Sequence, residues 1–165
     1  MKKVRPNQIL FFLIFGAVFA LTLAYISEYH FDFMPCQLCL YQRKPFFAII
    51  AICALTLAFF KTKKAKIITI FIALALLLIN ASIGVYHVGV EKKIFKISES
   101  CAAQEAENVN TIEELKILLS KSSLARCDEP KLFLFGLSMA NWNVLYCLML
   151  AISTILLYRK TSQKR

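Results

Sequence analysis

Cys36 and Cys39 are separated by two residues, a spacing at which two thiols can close a small disulfide ring. Opening and closing such a ring is thiol–disulfide exchange, in which a thiolate attacks a disulfide sulfur. The pair lies where a short polar stretch meets a long apolar one, and Pro35 before it suits the first turn of a helix. A helix N-terminus favours a thiolate, and Arg43, one turn after Cys39, is expected to add a positive charge on the same face.

The other four cysteines form two groups. Cys53 and Cys147 lie within apolar runs, where cysteine behaves as a small hydrophobic residue, and we predict a packing role for them. Cys101 and Cys127 lie in a polar segment that we place on the same side of a membrane as the Cys-x-x-Cys pair. Four cysteines on an oxidising side indicate disulfides. A zinc site is the alternative, but only one Cys-x-x-Cys is present, so we predict no bound metal.

His87 lies near the end of the third apolar run, between Gly84 and Glu91. It could donate a proton or a hydrogen bond to a bound carbonyl group. It could equally anchor the end of a helix at a membrane interface, and the residue pattern leaves both interpretations open.

The elements that must position these side chains are membrane helices. The chain has 165 residues, of which 59% are hydrophobic, and the uncharged residues are grouped into four long runs. A spanning helix needs about 20 largely apolar residues. We predict an all-α membrane protein, a single domain of residues 1–165 forming a bundle of four transmembrane helices. The expected helices are residues 9–27, 40–60, 67–87 and 141–158, and the expected outer loops are residues 28–39 and 89–138.

The net charge of +10 is distributed unevenly along the chain. Eleven basic residues and no acidic residue lie before the first run, between the second and third, and after the fourth. Short cytoplasmic segments carry such an excess, so both termini are expected inside the cell. The basic residues therefore reflect topology, and we predict a lipid bilayer as partner and no nucleic acid. These residues are Lys2, Lys3, Arg5, Lys61, Lys63, Lys64, Lys66, Arg159, Lys160, Lys164 and Arg165.

A short amphipathic helix is predicted within the long outer loop. Thr111 and Glu114 fit a capping box, and apolar residues then recur at helical spacing up to Leu119. Such a helix could lie on the membrane surface or pack on the protein itself, and both alternatives remain open.

Three stretches together resemble the DsbB family, the disulfide bond formation proteins of the bacterial inner membrane. The resemblance covers nearly the whole chain, and Cys-x-x-Cys alone would be weak evidence for it. The first stretch is Met-Pro-Cys-Gln-Leu-Cys-Leu-Tyr-Gln-Arg at 34–43, and the second is Tyr-His-Val-Gly-Val-Glu at 86–91. The third is Cys-Asp-Glu-Pro at 127–130, which is followed by Phe-Gly-Leu-Ser-Met-Ala-Asn-Trp-Asn at 135–143.

The resemblance implies a two-stage relay with its cysteines on the periplasmic side. A soluble DsbA-like oxidase of the thioredoxin fold would attack Cys101 and displace Cys127. Cys36 would then exchange with that pair, so that both electrons pass to Cys36–Cys39. Cys39, beside Arg43, would give its electrons to ubiquinone or menaquinone. His87 matches a family position near the quinone.

A different class of function remains as the alternative, a small membrane transporter or interaction protein with two structural disulfides. None of the four runs contains a carboxylate, which a transport site within the membrane typically needs. The sequence therefore favours redox chemistry.

Overall fold

The computed structural model describes residues 5–30, 35–95, 133–134 and 137–162. These residues form four long helices and one short hairpin: α1 (Pro6–Tyr29), α2 (Gln37–Phe59), α3 (Lys63–Glu91), β1 (Phe133–Leu134), β2 (Leu137–Ser138) and α4 (Met139–Ser162). All four helices are long and apolar enough to cross a membrane. The predicted all-α, four-helix membrane bundle is therefore confirmed, and the chain is a multi-pass membrane protein.

The helices extend beyond the predicted apolar runs, because polar residues at the ends also adopt helical geometry. Pro6 occupies the first turn of α1, and the Arg5 amide donates a hydrogen bond of 2.8 Å to Oε1 of Gln8. At its other end α1 includes Glu28, which was expected in a loop. α3 continues through His87 to Glu91, one turn past its expected end. Pro35 precedes the capping residue of α2 and does not lie in the first helical turn, which corrects the prediction.

Packing between the helices produces one apolar core. α3 packs on α4 and on α2, and α1 packs mainly on α2. Leu13, Ile49, Leu77 and Leu150 each contribute to this core from a different helix. Many large apolar side chains instead face outward on every helix, as expected for a surface that contacts lipid.

Polar contacts also connect the helices within the bundle. Hydroxyl groups of Thr56 on α2 and Thr69 on α3 lie 2.8 Å apart. The Tyr146 hydroxyl of α4 donates a hydrogen bond of 2.8 Å to the carbonyl oxygen of Gly16 on α1. Interhelical hydrogen bonds of this kind help to fix helix register in a bilayer, where burial of apolar surface does not.

The two strands form a small antiparallel hairpin directly before α4, a feature that the sequence analysis missed. Leu134 pairs with Leu137, and Phe133 pairs with Ser138. The Ser138 hydroxyl oxygen accepts hydrogen bonds from the amide of Asn141 at 3.4 Å and from its Nδ2 at 2.9 Å. The hairpin thus leads into a capped first turn of α4. The predicted amphipathic helix near residues 111–121 lies outside the described residues.

Candidate active site

The two thiols of the Cys-x-x-Cys pair are in contact at the N-terminus of α2. Cys36 is the capping residue, with an extended backbone (φ −82°, ψ 168°), and its Sγ accepts a hydrogen bond of 3.4 Å from the Cys39 amide. The Sγ atoms of Cys36 and Cys39 lie 3.2 Å apart. Because the amide groups and the dipole of the first turn point at Cys36, the site favours negative charge on its sulfur.

His87 reaches this pair from α3. Its Nε2 atom lies 3.4 Å from Sγ of Cys36, and its Nδ1 atom lies 3.4 Å from Nε2 of Gln42. Cys36, Gln42 and His87 are all buried, with 5%, 6% and 3% of their surfaces exposed. From the sequence, His87 was either a contact for a bound carbonyl group or an anchor at the end of a helix. The structure brings it against the dithiol, and both of those roles stay predictions.

Glu91 lies one turn beyond His87, on the same side of α3. Its Oε1 atom is 3.7 Å from Nε2 of His87, and its carboxylate also accepts a hydrogen bond from the Ser138 side chain. The end of the bundle formed by Cys36, His87, Glu91 and Ser138, which we term the dithiol end, therefore joins α2, α3 and the start of α4.

Arg43 turns toward α1. Its Nη1 atom donates a hydrogen bond of 2.6 Å to Oε2 of Glu28, and its guanidinium carbon lies 4.9 Å from the centre of the Tyr25 ring. The sequence analysis treated Arg43 as a positive charge added to that of the helix N-terminus. The ion pair with Glu28 compensates that charge and holds the guanidinium group in a defined orientation.

A groove between α1 and α2 borders this ion pair. It has a volume of about 630 Å³ and an almost entirely apolar lining, to which Val18, Tyr25, Phe47 and Ile50 contribute. Tyr25 connects the groove with Arg43, because its ring lines the groove and also contacts the guanidinium group of Arg43. The groove is open at the surface of the bundle, with the Arg43 guanidinium group beside its Tyr25 wall.

The sequence indicated two groups for the other four cysteines, two in apolar helices and two in the long outer segment. Cys53 and Cys147 are buried in the apolar core, which agrees with a packing role. Cys101 and Cys127 lie outside the described residues, so their pairing and their approach to Cys36 stay predictions.

Three polar residues of the site were not singled out from the sequence: Glu28, Gln42 and Glu91. Gln42 and Glu91 could have been found from helical spacing. It places Gln42 on the same helix face as the Cys-x-x-Cys pair and Glu91 one turn after His87. Glu28 could not have been found in this way, because its contact with Arg43 depends on how α1 and α2 pack.

Among the described residues, Cys36, Cys39 and His87 are also the group that could hold a metal ion, with ligand atoms all within 4.8 Å of one another. From the sequence, a metal site was expected to require all four outer cysteines. The contribution of His87 depends on the packing of α3 against α2, which local spacing does not reveal.

Comparison with known proteins indicates the same family as the three sequence stretches described above. Residues 6–157 match the family model described as disulfide bond formation protein DsbB. A protein of Rickettsia prowazekii (strain Madrid E) named uncharacterized protein RP370 is 30% identical, over 98% of this chain and 94% of its own length. The disulfide bond formation protein B of Herminiimonas arsenicoxydans is 28% identical, over 92% of this chain and 93% of its own length. No solved structure matches the chain.

Proposed function

This chain belongs to the DsbB family of disulfide bond formation proteins, and from that premise we propose that it reoxidises a periplasmic, DsbA-like thiol oxidase and passes the electrons to a membrane quinone. The observation that carries the proposal is the contact between the Cys36 and Cys39 sulfurs at the N-terminus of α2, with His87 beside Cys36. Two thiols this close can be converted to a disulfide with a small movement. Family membership also favours this relay over a transporter with structural disulfides.

The thiol steps balance as two successive exchanges. A thiolate of the reduced partner attacks the Cys101–Cys127 disulfide at Cys101 and displaces Cys127. The second thiol of the partner then releases it as a disulfide, leaving Cys101 and Cys127 reduced. That dithiol next reduces Cys36–Cys39 by the same chemistry, so two electrons and two protons arrive at the dithiol end.

Removal of those electrons requires an acceptor that dissolves in lipid. A quinone of the ubiquinone or menaquinone class supplies this chemistry, since it takes up two electrons and two protons. The apolar groove beside Tyr25 is the candidate site for the ring of such a molecule, because its lining is mainly apolar. Arg43, held by Glu28, can donate hydrogen bonds toward the groove and stabilise negative charge as it develops on an oxygen atom.

His87 and Gln42 act on the dithiol in this proposal. The imidazole Nε2–H can donate to the Cys36 thiolate, and the Gln42 amide fixes the ring from its other side. His87 therefore serves as a partner of Cys36 in this proposal, and the quinone contact that the family resemblance implied stays a prediction.

The membrane orientation follows from the same proposal. The dithiol end lies on the periplasmic side of the bacterial inner membrane, where the soluble partner is found. Both termini and the connection between α2 and α3 lie in the cytoplasm, as the distribution of basic residues favours.

Trapping of the partner tests the order of the two cysteine pairs. A DsbA-like partner without its resolving cysteine should form a stable mixed disulfide with this protein. We expect the adduct to be lost with Cys101→Ser and to form normally when Cys36 and Cys39 are both changed to Ser. That double variant should oxidise about one equivalent of intact partner and then stop, because no electrons reach quinone.

The matched control changes Cys53 and Cys147 to Ser, which should leave turnover and quinol formation intact. An adduct formed on Cys39 would reverse the assigned roles of the pairs. Sustained turnover without Cys36 and Cys39 would show that the Cys-x-x-Cys pair is only a structural disulfide.

A further inference from the structure

The dithiol end contains more ligand atoms than disulfide exchange needs. The sulfurs of Cys36 and Cys39 meet the imidazole of His87, and the Glu91 carboxylate lies beside that imidazole. Two thiolates, one imidazole and one carboxylate match the donors that bind zinc in proteins. Each comes from a side chain that is buried or half-buried, so water competes little for the same position.

We propose that the reduced Cys36–Cys39 pair, together with His87 and Glu91, forms a binding site for a thiophilic divalent cation of the Zn²⁺ type. Oxidation of the pair to a disulfide abolishes the site. The inference goes beyond the relay, because it assigns these four side chains a metal-bound state that the relay does not use.

The sulfurs of Cys36 and Cys39 and Nε2 of His87 all lie within 4.8 Å of one another, so one ion can reach these three atoms. Glu91 lies outside that group, and its carboxylate must turn toward the sulfurs to become the fourth ligand. With Zn–S near 2.3 Å and Zn–N or Zn–O near 2.0–2.1 Å, tetrahedral geometry requires edges of about 3.8 Å (S–S), about 3.6 Å (S–N) and about 3.3 Å (N–O). The observed distances are 3.2 Å between the sulfurs, 3.4 Å from Cys36 Sγ to His87 Nε2 and 3.7 Å from that nitrogen to Glu91 Oε1. These three of the six edges therefore need a change of only about 0.6 Å or less, whereas Glu91 has to move closer to the sulfurs.

One ring nitrogen of His87 faces both Cys36 and Glu91. Nε2 of His87 lies near Cys36 and near Glu91, whereas Nδ1 faces Gln42. A ligating histidine usually donates its other ring N–H to an oxygen, which fixes the tautomer and the ring orientation. In the structure the amide nitrogen of Gln42 faces Nδ1, so the amide must rotate by about 180° for its oxygen to accept this hydrogen bond. The Ser138 side chain donates a hydrogen bond to the carboxylate of Glu91.

Redox dependence follows from the charge balance. Binding of M²⁺ to the dithiol displaces two thiol protons and leaves two thiolate ligands, so the ion and the thiolates together are neutral. When an oxidant, either a quinone or a disulfide, removes two electrons from the thiolates, one S–S bond forms and the ion loses both anionic ligands. A bound ion would in turn hold the pair reduced and stop the relay until a chelator removes it.

Cobalt(II) is the probe for the test, because tetrahedral thiolate coordination gives visible d–d bands and thiolate-to-metal absorption. The titration uses the full chain with Cys101 and Cys127 changed to Ser, reduced and held without oxygen in detergent. We expect one Co²⁺ per chain, displaced by one equivalent of Zn²⁺, and no such spectrum after oxidation of Cys36 and Cys39. Neither the soluble partner nor quinone is present, so the result does not depend on the proposed relay.

Variants distinguish a four-ligand site from a simple dithiol chelate. Outer partners of a bound metal contribute about 10- to 100-fold in affinity, so loss of a direct ligand in His87→Ala should weaken binding by about 100-fold or more. Glu91→Ala, which retains the other three ligands, should weaken it by at least about tenfold. His30→Ala, a change in the second histidine of the chain, should have no effect, and neither should Cys53→Ser with Cys147→Ser.

Retention of the fold is checked by gel filtration and by the helical circular dichroism spectrum of each variant. Affinity unchanged by both His87→Ala and Glu91→Ala would overturn the proposal, since the dithiol alone would then account for binding. A Co²⁺ spectrum that persists after oxidation would overturn it as well.

Discussion

Nε2 of His87 lies 3.4 Å from Sγ of Cys36, although 51 positions separate the two residues in the chain. Both side chains are almost completely buried, so little water reaches the sulfur of Cys36. The imidazole of His87 takes the place that water would have beside an exposed thiol. A buried thiolate without such a donor is costly. The reactivity of Cys36 should therefore depend on His87 as well as on the helix N-terminus.

Replacement of His87 by Asn should slow alkylation of Cys36. The measurement uses a Cys39→Ser, Cys101→Ser, Cys127→Ser background, in which Cys36 stays a thiol, and follows its labelling by maleimide with mass spectrometry. A hydrogen bond to a charged group contributes about 1.5–3 kcal/mol, so we expect a decrease of about tenfold or more. His30→Asn is the matched control and should leave the rate unchanged. Equal rates in the His87 variant and its parent would show that the contact does not activate Cys36.

Local patterns in the sequence predicted a large part of this architecture. The four apolar runs indicated four membrane helices, and Cys36 with Cys39 indicated a redox pair at a helix start, because both signals depend only on neighbouring residues. The helix ends were less accurate. Glu28 and Glu91 are charged residues that extend α1 and α3 beyond the apolar runs.

Contacts between helices could not be predicted in the same way. The partners of His87 and Arg43 depend on the rotation and register of α1, α2 and α3, which are set by the packing of many core side chains at once. For this reason the sequence did not indicate the contact of His87 with Cys36. The quinone contact that the family resemblance implies for His87 stays a prediction. It likewise suggested a charge at Cys39 for Arg43, whereas the structure pairs it with Glu28.

The ion pair of Arg43 with Glu28 should support quinone reduction by orienting the guanidinium group. Arg43→Ala is expected to raise the apparent KM for quinone, and Arg43→Lys should recover only part of the loss, because a point charge replaces a planar fork of donors. Glu28→Gln should raise the apparent KM for quinone by a smaller factor, up to about fivefold. An ion pair of this kind contributes about 1 kcal/mol or less, which corresponds to that factor.

A double-mutant cycle provides the check on that ion pair. If Glu28 acts through Arg43, Glu28→Gln should add little once Arg43 is Ala. Strictly additive effects would show that the two residues contribute separately. Unchanged quinone kinetics in Arg43→Ala would reduce the residue to a membrane-interface anchor.

Filling the groove between α1 and α2 should interfere with the acceptor and leave the thiol steps unchanged. Val18 is 44% exposed and lines the groove, so Val18→Trp places a large ring in it. We expect a higher apparent KM for quinone and an unchanged single-turnover oxidation of the partner. Ile72→Trp on α3, at a site 48% exposed and outside the groove lining, is the control. Equal behaviour of the two variants would remove the groove as the quinone site.

The proposed orientation predicts which positions an impermeant thiol reagent can reach in intact cells. A cysteine introduced at Lys63, at the start of α3, should be protected until the membrane is opened. One introduced at Asn108 should be labelled directly, because the long loop faces the periplasm in this orientation. Both are placed in a background without the native cysteines, so that only the new thiol reacts. Labelling of the Lys63 position in sealed cells would invert the topology.

Close packing of α3 on α4 should make Gly84 sensitive to the smallest substitution. A Cβ atom at this position would lie 2.5 Å from Cγ2 of Val144, so Gly84→Ala must displace the Val144 side chain or move the two helices apart. Overpacking of this kind costs about 1–3 kcal/mol of unfolding free energy, measured by denaturation in detergent micelles. Val144→Ala removes the clashing methyl group, so the double variant Gly84→Ala/Val144→Ala should regain most of the loss. A double variant no more stable than Gly84→Ala alone would show that the cost arises elsewhere, for example at Gln42, whose Nε2 would lie 3.5 Å from the added carbon.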